Sequence, residues 1–349
     1  VRKHDVDGDR IPDAPVRRTP RKARFDDEPE PERSGRLTAQ EKARLANLRD
    51  DAYAEREIPG GGDRWSTWAD GEQGPRPLPY WVVTELAAVD TELGVLKSGK
   101  EADVHLLRRG LPAGQPGERD GGETGREPGD HARVTDSGTA GGGASGDGCL
   151  LAAKRYRSDE HRMFHRDAGY LEGRRMRRSR EMRAMRNRTS FGRNLIAEQW
   201  AVAEFATLSR LWSAGAPVPY PVQRAGTELL MEFLGDADGT AAPRLAQLRP
   251  DAEELRDLWQ QTVRAVESLA AQGLAHGDLS AYNVLVHSGR VVLIDLPQVV
   301  DVVANPRGTE FLARDVRNIA DWFLARGLDP ADADAGELVA ELRELAGLP

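Results

Sequence analysis

Glycine is spread so unevenly along this sequence that it decides which parts of the chain can share a core. Of 36 glycines, 13 fall between Arg108 and Cys149. Apolar runs flank that stretch on both sides, Val104 to Leu107 before it and Leu150 to Ala153, ending in Lys154, after it. Glycine loses more backbone freedom on ordering than any other residue, so 108–149 is expected as an unstructured insertion between two paired strands. A structured loop of that length would be unusual. Its closure entropy, however, grows only with the logarithm of its length, so the strands on either side can still pair.

A second discount applies at the N-terminus. Residues 1–36 mix Pro, Arg, Asp and Glu with almost no apolar side chain, a composition that cannot bury enough surface to fold. Thr38 followed by Glu41 reads as a capping box, predicting a helix to about Arg56 that stops before Pro59. Gly60 to Gly62 and the Pro-rich run from Pro75 to Pro79 read as linkers, with ordered structure expected from Tyr80. Residues 1–79 are thus expected as a disordered or linker region carrying one helix, 80–327 as the folded domain, and 328–349 as a helical tail. Cys149 is the sole cysteine, which excludes an intrachain disulfide or a cysteine-based zinc site. No apolar run approaches the ~20 residues of a membrane span, and the first residues lack a secretory apolar stretch; a cytoplasmic location is expected.

The remaining elements come in a definite order. After Lys154 and an Arg-dense stretch, Trp200, Ala203, Leu208 and Leu211 recur at helical spacing, predicting a helix over about 194–214. Gly215 and the prolines at 217, 219 and 221 end it. A strand over 228–233 follows, then a helix over 251–272 stopped by Gly273. Two short apolar runs, 284–286 and 291–294, flank Ser288-Gly289 as a hairpin. Helices over 314–326 and 336–345 close the chain. Strands early and helices late make an α+β fold with a sheet-rich first lobe and a reduced helical second lobe.

The densest chemistry lies at His276-Gly277-Asp278-Leu279-Ser280-Ala281-Tyr282-Asn283, with Asp295 after the next strand. The spacing resembles the protein-kinase loop H-R-D-L-x-x-x-N followed by a metal-binding aspartate. In such chemistry one carboxylate orients the attacking hydroxyl and takes its proton, while an amide oxygen and a second carboxylate hold Mg²⁺ against the phosphates. The alternative is an Asp/Asn-rich turn. Lys154 ends an apolar strand and is the only lysine after Lys100. Glu204 lies on the Trp200 face of the following helix, where it can pair with Lys154. Gly94 to Lys100 fits G-x-x-x-x-G-K, but Glu101 stands where a Walker loop needs Ser or Thr, and a strand follows instead of a helix. A flap between two strands, with Ser98 and backbone amides over phosphates, fits better.

Together, S-G-K-E-A-D-V (98–104), W-A-x-x-E (200–204), A-G-x-P-x-P (214–219), H-G-D-L-S-x-Y-N and I-D-L-P-Q (294–298) resemble the RIO family of atypical serine/threonine protein kinases. N-P-x-x-x-x-F-L-x-R-D-x-x-N (305–318) is similar to its second lobe. The resemblance covers about 80–327 without the insertion, and implies a protein-kinase-like bilobal fold using ATP and Mg²⁺. It implies ATP contacts at Ser98 and Lys154, with Glu204 positioning the lysine. Met231, Glu232 and Leu234 would lie in the hinge that receives adenine. It further implies Asp278 as catalytic aspartate and Asn283 and Asp295 as metal ligands, Asp295 being also a candidate aspartyl-phosphate site. An ATPase-like cycle is then as compatible as phosphorylation of a protein, including the chain itself.

Departures from ordinary kinases are equally legible. Gly277 replaces an Arg, no A-P-E motif follows Asp295, and too little chain remains for a large peptide-gripping subdomain; RIO proteins share these absences. Asn305 stands where the family commonly has His. From Lys154 to Arg193 there are 14 basic residues against 5 acidic, in a chain of net charge -8. This Arg-rich 155–193 segment is either a contact for RNA or a ribosomal particle, or a solvated stretch that pairs with the acidic remainder. His161 and His165 lack a third ligand for a metal. Two competing functions share part of the pattern: a small-molecule phosphotransferase of the aminoglycoside or choline kinase type, and a pseudokinase scaffold that binds RNA or ribosomes.

Overall fold

A computed structural model describes residues 62–112, 148–157 and 190–348, with side chains from 196 onward in the last stretch. The helix expected over 38–56, most of the glycine-rich insertion, and the Arg-rich segment with His161 and His165 lie outside the described residues.

The first lobe is one antiparallel sheet. Its strands are β1 (Arg64–Trp65), β2 (Glu72–Gln73), β3 (Val89–Ser98), β4 (Ala102–Gly110), β5 (Cys149–Tyr156), β6 (Pro221–Ala225) and β7 (Glu228–Glu232). Their order across the sheet is β1-β3-β4-β5-β7-β6-β2. β4 and β5 pair from Ala102↔Tyr156 to Arg109↔Cys149, so the strands on either side of the glycine-rich stretch are direct neighbours. The strands are longer than their apolar cores suggest. Arg108, Arg109, Gly110 and Cys149, read as insertion, belong to them. Arg109 is fully buried because Asp90 meets it through two hydrogen bonds, 2.7 and 3.0 Å, and Gln223 Oε1 accepts a third at 2.7 Å. A buried charge is tolerable only when so partnered, and such pairing has no signature in hydropathy.

The sheet also begins before Tyr80. β1 pairs with β3 and β2 with β6, so the 60–79 stretch, expected as linker, supplies both edge strands. Two-residue strands show no period. They are fixed by tertiary contacts: Trp68 and Trp81 bury against Leu151, Tyr220, Val222 and Leu230, and Gln223 donates to Thr67 Oγ1 at 2.6 Å.

Helix α1 (Ser190–Ser213) packs on this sheet with Phe205, Leu208 and Leu211 buried, and Gly215 in the left-handed region follows its end. The second lobe contains α2 (Ala252–Ala270), β8 (Leu274–Ala275), β9 (Val284–His287), β10 (Arg290–Leu293), β11 (Val300–Asp301), α3 (Gly308–Leu324) and α4 (Ala335–Leu345). Asp251 caps α2 by accepting from the Glu253 and Glu254 N–H groups, both at 2.9 Å, a cap of the kind that contributes about 1 kcal/mol. Leu255, Leu258, Trp259, Val266 and Leu269 then bury one stripe of it. β9 and β10 form the expected hairpin, with Ser288 and Gly289 both at positive φ as a two-residue primed turn requires.

Residues 328–348, within the stretch 328–349 expected as a tail, are part of the second core. Leu338 and Leu342 of α4 bury in the same cluster as Leu258, Phe323 and Val316. Trp259 Nε1 donates to the Asp332 carbonyl at 2.7 Å. The architecture is the expected bilobal α+β fold. Among the described residues, no helix is long and apolar enough to cross a membrane.

Candidate active site

Between the lobes lies a cleft of about 550 Å³. β5 points alternate side chains into it, so Ala152 and Lys154 line one wall while Leu151 and Ala153 enter the opposite core. Lys154 Nζ donates to Glu204 Oε1 at 2.8 Å and to Asp295 Oδ1 at 2.7 Å. Burial alone would lower the lysine pKa, but Glu204 and then Asp295 hold it above its ordinary value. Asp295 is likewise pushed up by burial, but Lys154, ahead of Lys97, brings its carboxyl below the ordinary carboxylate range. Both groups are therefore charged at neutral pH.

Glu204 is almost fully buried and takes three donors. Besides Lys154, the Leu296 backbone N–H reaches Oε1 at 3.1 Å, and the Tyr156 hydroxyl donates to Oε2. Burial first, and the Glu204 charge second, raise the Tyr156 pKa well above its ordinary value, so the phenol keeps its proton and remains a donor. Tyr156 was missed in the sequence, yet a signal was available: two residues beyond Lys154, it shares that strand face.

Met231, Glu232 and Leu234 line the cleft where β7 runs out towards the second lobe. Glu232 is tied into the sheet twice, its N–H donating to the Tyr220 carbonyl at 2.8 Å and its Oε2 accepting from the Tyr220 N–H at 3.1 Å.

Asp278 is exposed and lines the opposite wall, in the loop between β8 and β9. That loop is held from three sides. His276 Nε2 lies 3.1 Å from the Ile294 carbonyl, and a carbonyl can only accept, so that nitrogen carries the proton. Asn283 donates its amide to the Asp278 carbonyl at 2.9 Å, leaving its amide oxygen as the acceptor end. From α3, Asp315 accepts from the Gly277 and Leu279 N–H groups at 2.7 and 3.1 Å, and Arg314 donates to the Gly277 carbonyl. Gly277 has φ +83°, and a Cβ there would stand 2.2 Å from the Gln298 carbonyl oxygen. An Arg at this position would not fit the loop.

Two of the expected residues stand beside the cleft instead of lining it. Ser98 pairs with Asp103 across the β3–β4 hairpin, and its hydroxyl helps to keep that carboxyl below its ordinary value, after Arg157. Asn283 faces the loop as described. Lys97, Lys100 and Arg244 do line the cleft and were not singled out. Asp315 and Arg314 sit inside a quoted motif, but their grip on the loop depends on the packing of α3.

A family model described as the RIO domain matches residues 149–335, more than half of the chain. The chain belongs to the RIO family. Among curated relatives, the RIO-type serine/threonine-protein kinase Rio1 of Haloferax volcanii is 39% identical over 140 residues, covering 40% of this chain and 47% of the relative. The serine/threonine-protein kinase RIO3 of Homo sapiens is 38% identical over 137 residues, 39% of this chain and 26% of the relative. The serine/threonine-protein kinase RIO1 of Chaetomium thermophilum is 37% identical over 139 residues, 37% and 27% of the two chains. The chain thus spans less than half the length of these curated RIO relatives. Among solved structures, the Rio2 kinase from Chaetomium thermophilum matches with a TM-score of 0.44 and 19% identity, covering 73% of this chain and 63% of that one.

Proposed function

We propose that the chain is an ATP- and Mg²⁺-dependent RIO-type serine/threonine protein kinase that transfers the γ-phosphoryl group of ATP to a hydroxyl, its own included. The observation that carries the reading is the convergence of Lys154, Glu204, Asp295 and Asp278 on one cleft. A solvated strand-end lysine would have no reason to sit buried between two carboxylates.

In this reading Lys154 binds the α- and β-phosphates, and Glu204, itself held by Tyr156 and the Leu296 N–H, keeps the lysine aimed. The Glu232 to Leu234 backbone receives adenine. Asp278 accepts the proton of the attacking hydroxyl as its oxygen bonds to the γ-phosphorus and the bond to the β-phosphate oxygen breaks, releasing ADP. Asp295 and Asn283 offer oxygen donors of the hard kind that Mg²⁺ takes. Among the described residues no three His, Cys, Asp or Glu side chains are grouped to hold a metal unaided, and Mg²⁺ in such sites completes its shell with phosphate oxygens. When bound, the ion neutralises phosphate charge. Asp295 can alternatively attack the γ-phosphorus itself, breaking its bond to the β-phosphate oxygen and releasing ADP, to give an aspartyl phosphate whose hydrolysis releases phosphate, returns the carboxylate and makes the cycle an ATPase. A cytoplasmic location follows from the need for ATP, and the Arg-rich 155–193 segment is the proposed contact for RNA or a ribosomal particle.

The test is incubation of the purified chain with γ-labelled ATP and Mg²⁺, reading free phosphate, self-labelling and the acid and base stability of the label. Transfer abolished by Asp278→Asn and Asp295→Asn supports the reading, and variants as active as wild type would overturn it. Turnover seen only with an added aminoglycoside or choline identifies a small-molecule kinase, and absence of ATP binding identifies a scaffold.

A further inference from the structure

Lys97 lies in the Gly94–Lys100 flap and lines the cleft, where the reading above gives it no contact with the nucleotide. Its Nζ stands 3.8 Å from Asp295 Oδ2, while Lys154 holds Oδ1 of the same carboxylate at 2.7 Å. The two oxygens of Asp295 therefore face different lysines, one from the flap and one from the sheet.

The strand is built to bring Lys97 there. Side chains of a regular strand alternate between faces, yet the consecutive residues Leu96 and Lys97 both line the cleft. The β3–β4 register slips between Val95 and Lys97, Val95 pairing with His105 and Lys97 with Val104, which leaves Leu96 as the extra residue of a bulge. A bulge re-aims the side chains beside it. Without it Lys97 would face away from Leu96 and out of the cleft.

The two lysines are held very differently. The Lys154 side chain is 9% exposed and bonded to two carboxylates. Lys97 is 43% exposed, with one longer ion pair among the described residues, on a strand end whose turn is closed by the Gly99 N–H donating to the Ala102 carbonyl at 2.9 Å. Lys154 is a buried cation held by two carboxylates and Lys97 an exposed one held by a longer contact. Among the described residues, the charges acting on Lys97 include Asp295 from the β10–β11 loop, which attracts it, and Arg244 from the segment after β7 and Lys154 from β5, which repel it.

We propose that Lys97 is a phosphate-binding residue of the flap, leaving Asp295 to engage the terminal phosphates of a nucleoside triphosphate. This rests on the kinase reading and deepens it. Lys154 serves the phosphates nearer the nucleoside, and Lys97, on the flap that covers the cleft, serves those farther out. Its charge distinguishes a triphosphate from a monophosphate.

The experiment is calorimetric titration of the full chain with ATP, ADP and AMP, in chelator without Mg²⁺ and again with it, for wild type, Lys97→Gln and Lys97→Arg. The expected result in chelator is a loss of ATP affinity of tenfold or more in Lys97→Gln. AMP affinity stays within twofold, ADP falls between the two, and Lys97→Arg recovers most of the loss. Circular dichroism and melting temperature equal to wild type establish that the variants fold. ATP and AMP weakened equally, or ATP unchanged, would overturn the proposal while leaving the nucleotide site in place. A wild type that binds ATP in neither condition would remove the kinase reading, and this proposal with it.

Discussion

Asp315 accepts a 2.7 Å hydrogen bond from the backbone N–H of Gly277, reaching from α3 to the loop that carries Asp278. The same carboxylate takes the Leu279 N–H at 3.1 Å, and it is 1% exposed. The residue proposed to take the substrate proton, Asp278, thus sits between two amides fixed by one side chain of α3. Asp315→Ala leaves both amides buried and unpaired, a loss of about 1–3 kcal/mol for each such group. The expected outcome is a lower melting temperature and phosphoryl transfer reduced at least as much as by Asp278→Asn, with Asp315→Asn intermediate because it retains one acceptor.

Gly277 makes a second demand on the same turn. With φ +83° and the Gln298 carbonyl 2.2 Å from any Cβ, Gly277→Ala combines left-handed strain with a backbone clash. Strain of this kind costs about 1–3 kcal/mol. Melting of Gly277→Ala should fall accordingly, whereas Gly289→Ala, whose Cβ meets nothing within 4 Å, should lose only the conformational part. Equal losses would locate the effect in backbone conformation alone.

The Tyr156 hydroxyl is the donor to Glu204 Oε2. A hydrogen bond to a charged group contributes about 1.5–3 kcal/mol, so Tyr156→Phe should slow phosphoryl transfer about tenfold or more through a less firmly aimed Lys154. Because Tyr156 does not line the cleft, affinity for adenosine, which carries no phosphate for Lys154 to hold, should change little, which separates this role from a direct ligand contact. Parallel loss of adenosine binding would assign Tyr156 to the nucleotide itself.

Glu228 gives a pH dependence remote from the site. Arg64 and Arg155 donate to it at 2.7 and 2.8 Å. Burial pushes its carboxyl up, but the Arg64 hydrogen bond and charge, followed by those of Arg155, bring it below its ordinary value. A depressed carboxylate pKa means the unfolded chain binds the proton more readily. Its stabilisation is therefore present above the unfolded value and lost as pH falls through the folded one. Thermal unfolding between pH 6 and pH 3 should show wild type losing more stability than Glu228→Gln below about pH 4.5; parallel curves would refute the assignment.

The readable part of this protein is the part set by neighbours in sequence. The 251–272 helix, the Ser288-Gly289 hairpin and the paired strands around the glycine-rich stretch follow from caps, turn residues and apolar spacing, and each is present. Asp278, Asp295, Lys154 and Glu204 were legible because their residue types recur at fixed intervals around a loop and a strand. β1 and β2 were not, since two residues carry no period, and neither was α4 as part of the core, since a short terminal helix looks the same whether or not something covers it. Ser98 was read from its motif as a phosphate contact; that the β3–β4 register pairs it with Asp103 was not legible there. The sequence alone determined the family, the two-lobed order of elements and the residue types of the loop, because local spacing and backbone preference are properties of short segments. The tertiary structure alone decided that Asp315 holds that loop, that Tyr156 donates to Glu204 and that a bulge turns Lys97 towards Asp295. Those are contacts between segments far apart in the chain, and only packing fixes their distances.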